Sequence, residues 1–209
     1  MTTARRGYHH GDLHDSVLAE ALSIVRESGI DTLSIRKVTR RVGVAPNAAY
    51  RHFADRDALV AEVAREVQDV LAERMRTAIQ RTQRKSPSTP RAQLVAIARI
   101  YVAFAVDEPA WFDALCRGQA HRATRSRSTG DVKPSPHELL QSVLVDVVAT
   151  ETISKRRARD AIWMIWAALD GTSRLASAGP LQSWPRPKLD HFVSQMITAV
   201  LDGLGSDPH

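Results

Sequence analysis

Apolar residues recur three and four positions apart through almost the whole chain, and no Asn-Gly turn separates alternating apolar runs. A chain patterned this way can bury its apolar surface only by packing helix on helix, so the fold expected is all-α. Leu13, Val17, Ala21, Ile24 and Val25 mark a first helix over about 12–28, closed by Gly29. Two short helical segments follow, about 35–42 and 46–53. A longer helix starts near Asp55, a good N-cap, and runs to about 81 before the Lys85–Pro90 segment breaks it.

Residues 91–106 are apolar on nearly all sides, which predicts a buried central helix. A short helix through Trp111, Phe112 and Leu115 should follow Pro109. The polar, basic stretch 119–136 is expected to be a mobile loop. Helices over 137–150 and 154–176 come next. The last one carries Leu189, Phe192, Val193, Met196, Ile197, Val200, Leu201 and Leu204 on a wide stripe. That stripe suits a core or a second subunit.

With 209 residues the chain can build a core without disulfides or metals. Its one cysteine, Cys116, cannot pair internally, and no Cys/His set has zinc spacing, so no metal is expected. Arg5 and Arg6 are not followed by an apolar stretch, and no window approaches ~18 uncharged apolar residues. A cytoplasmic location is therefore expected. The net charge of +6 is unevenly spread: six basic residues lie between Ser34 and Arg56 against one acidic residue, Asp55. A cationic segment of this kind favours a polyanionic partner.

The same segment has the pattern of a helix-turn-helix. Ile35, Val38 and Val42 give its first helix an apolar face, and Gly43 sits where the chain must turn sharply. Val44 can fill the angle between the helices, while Ala49 and Phe53 face inward from the second. Pro46 is tolerated only in a first turn, which fixes where that second helix starts. A short helix with small inward residues can lie close to its partner and project outward, as entry into a major groove requires.

The residues Gly43-Val44, Tyr50-Arg51-His52-Phe53 and the Asp55–Leu59 helix start resemble the TetR family of bacterial regulators. The opening Tyr8-His9-His10-Gly11-Asp12-Leu13 is similar to one branch of it. Trp166-Ala-Ala-Leu-Asp-Gly171 is similar to a Trp-x-x-x-His-Gly element of its effector domain. The resemblance implies a three-helix DNA-binding head, 1–66, followed by a six-helix-type effector and dimerisation domain, 67–209. It implies phosphate contacts from Tyr50, His52 and Arg56, with Ser34 both capping its helix and meeting a phosphate. Arg36, Pro46, Asn47, Ala48 and Arg51 are then the residues to face base edges. Arg36 and Arg51 suit guanine, Asn47 suits adenine, and Pro46 and Ala48 suit a thymine methyl.

Ala45 departs from the family pattern by removing a side-chain N-cap. Thr39 replaces a more usual alanine, and Asp170 the usual histidine. Tyr101, Phe104, Trp111, Phe112, Trp163 and Trp166 are expected to pack a core and, as a group, to line an effector pocket with Cys116, Asp170 and Arg174 as polar anchors. His9, His10 and His14 are expected to pack or touch phosphate rather than bind metal. Arg5 and Arg6 suit either a minor-groove arm or an unspecific tail, and Arg122, Arg125 and Arg127 a solvated loop.

The expectation is a ligand-responsive regulator, a repressor in the leading reading, that binds a palindromic operator as a homodimer paired through about 154–176 and 188–204. Activation, effector-free DNA binding or compaction, and a small helical enzyme are the alternatives. No nucleophile–base set, glycine-rich phosphate loop or paired carboxylates were found, so neither catalytic residues nor a cofactor are expected.

Overall fold

The structure, a computed structural model, describes residues 10–84, 88–122, 133–151 and 155–205. Nine α-helices and one 3-10 turn occupy these residues, and no strand is found among them. They fall into two compact units: 1–67 with 110–127, and 68–109 with 128–209. The 66/67 division therefore lies inside a helix, and the 110–127 segment groups with the N-terminal unit.

The N-terminal unit is built on α1, His10–Ser28, whose stripe of Leu13, Val17, Ala21, Ile24 and Val25 is buried throughout. Gly29 ends it at φ 81°, a backbone angle glycine takes without a Cβ penalty, and its N–H donates to Val25 O at 2.8 Å. A 3-10 turn, Ile30–Thr32, leads into α2, Ile35–Val42. Ser34 caps α2 by accepting from the Lys37 N–H at 3.2 Å. Gly43 closes it in the left-handed region, φ 79° and ψ 29°.

Beyond that corner α3 is only Pro46–Ala49, shorter than the 46–53 helix its residues suggested. After Ala49 the chain tightens into a turn in which the N–H groups of His52 and Phe53 both reach Ala49 O at 2.9 Å. This carries Phe53 into the core at 1% exposure, beside the fully buried Ala49 and Val38. Helix α4, Arg56–Gln83, begins as expected, with Asp55 Oδ1 accepting from Ala58 N–H at 2.7 Å.

Buried Thr39 satisfies its own hydroxyl by donating to Ile35 O at 2.9 Å, so the core tolerates it where alanine is commoner. Helix α6, Pro109–Arg122, runs 14 residues, longer than the short helix expected after Pro109, and takes in 119–122 of the expected loop. The rest of that loop to residue 132 lies outside the described residues.

In the second unit α5, Pro90–Asp107, is the central helix, as its uniformly apolar surface predicts. It packs against α7, Pro136–Thr150, α8, Lys155–Ala178, and α9, Arg186–Gly205. Ser135 and Glu138 form a reciprocal capping box at the start of α7. Arg91, at the start of α5, donates to both Glu151 oxygens and to Asp202, each at 2.8 Å. That one guanidinium joins the beginning of α5 to the ends of α7 and α9, and its pKa is raised, chiefly by Glu151.

Phe53 holds the short α3 segment in place from its C-terminal side. Phe53→Ala should cost about 3–5 kcal/mol in denaturant unfolding of the N-terminal unit; a loss under about 1 kcal/mol would show that the anchor lies elsewhere.

Candidate nucleic-acid interface

The outer edge of the helix-turn-helix is made by residues whose neighbours leave them no room inside. Ala49 and Phe53 turn inward, so Pro46, Asn47, Tyr50 and Arg51 must turn outward. All four are exposed, Tyr50 at 49%. Ala48 is half-buried between them. Ala45 caps α3 without a side-chain hydrogen bond, as its methyl group dictates. From α2, Ser34 and Arg36 are exposed as well. His52 is half-buried, with its Nε2 atom turned away from solvent.

The six cations of this segment do not share one environment. Arg41 pairs with Glu27 through two hydrogen bonds, 2.8 and 3.2 Å, and its Nε meets Glu20. The Arg41 guanidinium, helped by the Ser23 hydroxyl, holds the Glu27 carboxyl down at about 2. Arg41 is thus neutralised against α1. Arg56 donates from Nε to Leu33 O at 2.8 Å and from Nη2 to Ile30 O at 3.0 Å, clamping the 3-10 turn that leads to α2. Lys37 Nζ reaches Thr32 Oγ1 at 3.2 Å. Arg36, Arg40 and Arg51 are exposed and have no carboxylate partner among the described residues. Sequence counting shows six equivalent cations, whereas the fold leaves three facing water alone.

The aromatic residues expected around an effector divide between the units. In the N-terminal unit Trp111 is committed to α1: its Nε1 donates to Leu22 O at 3.0 Å and Arg26 lies 5.2 Å over its ring. Phe112 is buried on the same helix and Cys116 half-buried. In the second unit buried Tyr101 packs 5.3 Å from Trp166. His137, which periodicity gave no reason to single out, sits 5.1 Å from Trp166 and 5.7 Å from Trp163. Phe104 is buried under Arg74, and Asp170 pairs with Arg174 at 2.9 Å. Trp163 is no core residue, being 64% exposed.

Three substitutions separate internal from outward-facing cations. In Arg41→Ala the Glu27 carboxyl should titrate well above about 2 by NMR, moving toward its ordinary range while the Ser23 hydroxyl still holds it below that range. Because the depression stabilises the ionised form, this contribution is present above the ordinary carboxylate range and fades as pH falls toward about 2. Arg56→Ala, which strands two carbonyls, should cost about 1–3 kcal/mol of stability, and Arg36→Ala next to nothing. Equal melting of the two variants would remove the clamp assigned to Arg56.

Residues 17–63 match the family of bacterial regulatory proteins of the tetR family, and residues 94–200, about half the chain, match the tetracyclin repressor-like C-terminal domain. Among solved structures, one from Rhodococcus sp. RHA1, of a protein with unknown function, is 26% identical with a TM-score of 0.75, covering 97% of this chain and 100% of its own. A tetR-family transcriptional regulator from Streptomyces coelicolor is 18% identical, TM-score 0.64, covering 95% of this chain and 83% of its own. A TetR variant from Acinetobacter baumannii AYE in complex with minocycline is 19% identical, TM-score 0.61, covering 96% and 100%. None of the curated proteins matches. With an exposed helix-turn-helix edge at one end and a matching C-terminal domain over most of the rest, the chain belongs to the TetR family of DNA-binding transcriptional regulators.

Proposed function

We propose that this regulator is a ligand-responsive repressor that binds a palindromic operator as a homodimer in the cytoplasm and releases it when a small-molecule effector occupies the 67–209 domain. The observation that carries the DNA-binding part is the outward-facing set Pro46, Asn47, Tyr50 and Arg51, held by an inward-facing Ala49 and Phe53.

On this reading Asn47, Arg36 and Arg51 read base edges, with Pro46 and Ala48 supplying apolar contact. Tyr50, Ser34 and His52 meet phosphates. Arg56 combines a phosphate contact with its clamp on Leu33 and Ile30. Since the Nε2 of His52 is turned inward, its phosphate contact requires a ring rotation or its other nitrogen.

Pairing through about 154–176 and 188–204 is supported by apolar side chains on the open side of α8, Met164 at 49% and Leu175 at 46% exposure. A two-fold dimer places its recognition elements in successive major grooves when they are ~34–36 Å apart, which makes the operator palindromic. Release by an effector follows if the ligand favours a dimer with a different separation. The mixed aromatic and polar character around Tyr101, Trp166 and His137 suits an apolar or aromatic effector. Regulators of this family are normally not enzymes. Among the described residues no helix is long and apolar enough to cross a membrane.

Selection of bound duplexes from a random pool tests the reading directly. A palindromic consensus is expected, with Asn47→Ala relaxing one position by about 1–3 kcal/mol and Arg51→Ala acting at another. A Tyr50→Phe variant should weaken all sequences alike. Uniform losses in the Asn47 and Arg51 variants, or no enriched sequence, would overturn it.

A further inference from the structure

His14 sits on α1 against the turn that follows α3, with a carboxylate at each ring nitrogen. Its ring stacks on Phe53, 4.9 Å between centroids and 14° from parallel, and meets the His52 ring edge-on at 5.8 Å. Nδ1 lies 3.1 Å from Asp15 Oδ1, and Nε2 lies 2.9 Å from Glu62 Oε2 on α4. A neutral imidazole has a single N–H, so one of its nitrogens would turn a lone pair toward a carboxylate oxygen. Only the imidazolium presents an N–H and a positive charge to both carboxylates, as a hydrogen bond to Asp15 and as an ion pair with Glu62.

We propose that His14, as an imidazolium, is a positioning residue for DNA binding: it pins the turn from Tyr50 to Phe53 against α1 and α4, and its loss of a proton loosens the grip on DNA. The inference rests on the DNA-binding reading above. Tyr50, Arg51 and His52 immediately precede the Phe53 ring on which His14 lies. Through Glu62 the same cation fixes α4, whose neighbouring Arg56 clamps the approach to α2. Among the described residues the titratable groups facing it are Asp15 on its own helix, Glu62 on α4 and His52 after α3.

The His14 pKa lies above its ordinary value of 6.5, raised most by the Asp15 hydrogen bond, with burial opposing and Glu62 adding to the rise. The charged form is therefore favoured by the folded arrangement. Its contribution is complete below the ordinary value and disappears as pH climbs through the raised one.

The experiment uses the full-length protein and a labelled duplex recovered by the selection above, at constant salt from about pH 6 to about pH 9. Histidine NMR follows the His14 ring while fluorescence anisotropy follows affinity. Affinity should fall several-fold with the same midpoint as the His14 titration. Glu62→Gln, a small change unlike deletion of the ring, should move both midpoints to lower pH together. His14→Arg, charged throughout the range, should flatten the profile. The proposal is overturned by a His14 ring already neutral at the acid end, by an affinity indifferent to its titration, or by a Glu62→Gln shift in the NMR midpoint alone. Binding with a flat profile defeats this inference only, whereas no binding to any duplex at any pH defeats the DNA-binding reading with it.

Discussion

A helix of one turn cannot hold its own shape in water, because nucleation costs more than so few hydrogen bonds return. Helix α3, Pro46–Ala49, is such a helix, and even its N-cap is an alanine. Whatever order the outward edge has is borrowed from the side chains beneath it. Ala49 and Phe53 are buried to within 1% of completeness, and together they hold the C-terminal side of the segment. The glycine at 43 sets the entry angle and the Phe53 ring sets the exit. Between these fixed points the outward residues have few choices of direction. The same logic makes small inward residues necessary, since a bulkier group at 49 would lift the edge off its support.

Electrostatics in the head divides along similar lines. Arg41 and Arg56 serve the interior, one against two carboxylates and the other against two carbonyls. Arg36, Arg40 and Arg51 point to water. A helix bearing several arginines would repel its neighbours if all pointed the same way, and pairing Arg41 with Glu20 and Glu27 removes part of that repulsion. The arginines that remain outward have no carboxylate partner among the described residues.

Much of this was legible in the chain itself. Ile35, Val38, Gly43 and Phe53 specify the corner through size, backbone freedom and spacing, all local properties. Helix ends were legible where a cap was unambiguous, as at Ser34 and Asp55. The C-terminal end of α3 was not, because Tyr50-Arg51-His52 are all acceptable in a helix and nothing local forces a turn there. Roles that depend on distant partners were hidden for the same reason. Nothing in the segment around Arg41 announces Glu20 and Glu27, and nothing around Trp111 announces a carbonyl on α1. The exposure of Trp163 runs against its hydrophobic pattern, since periodicity assigns a face but not what covers it.

The threefold tie at Arg91 has a consequence for the order in which the molecule is made. Its partners, Glu151 and Asp202, lie 60 and 111 residues further along the chain, so the knot cannot close until Asp202 has been made. The mutual contacts of α1, α2 and α3 lie wholly before α4, and segments completed first on the ribosome can fold first. A nascent chain therefore carries α1, α2 and α3 well before the tie at Arg91 can close.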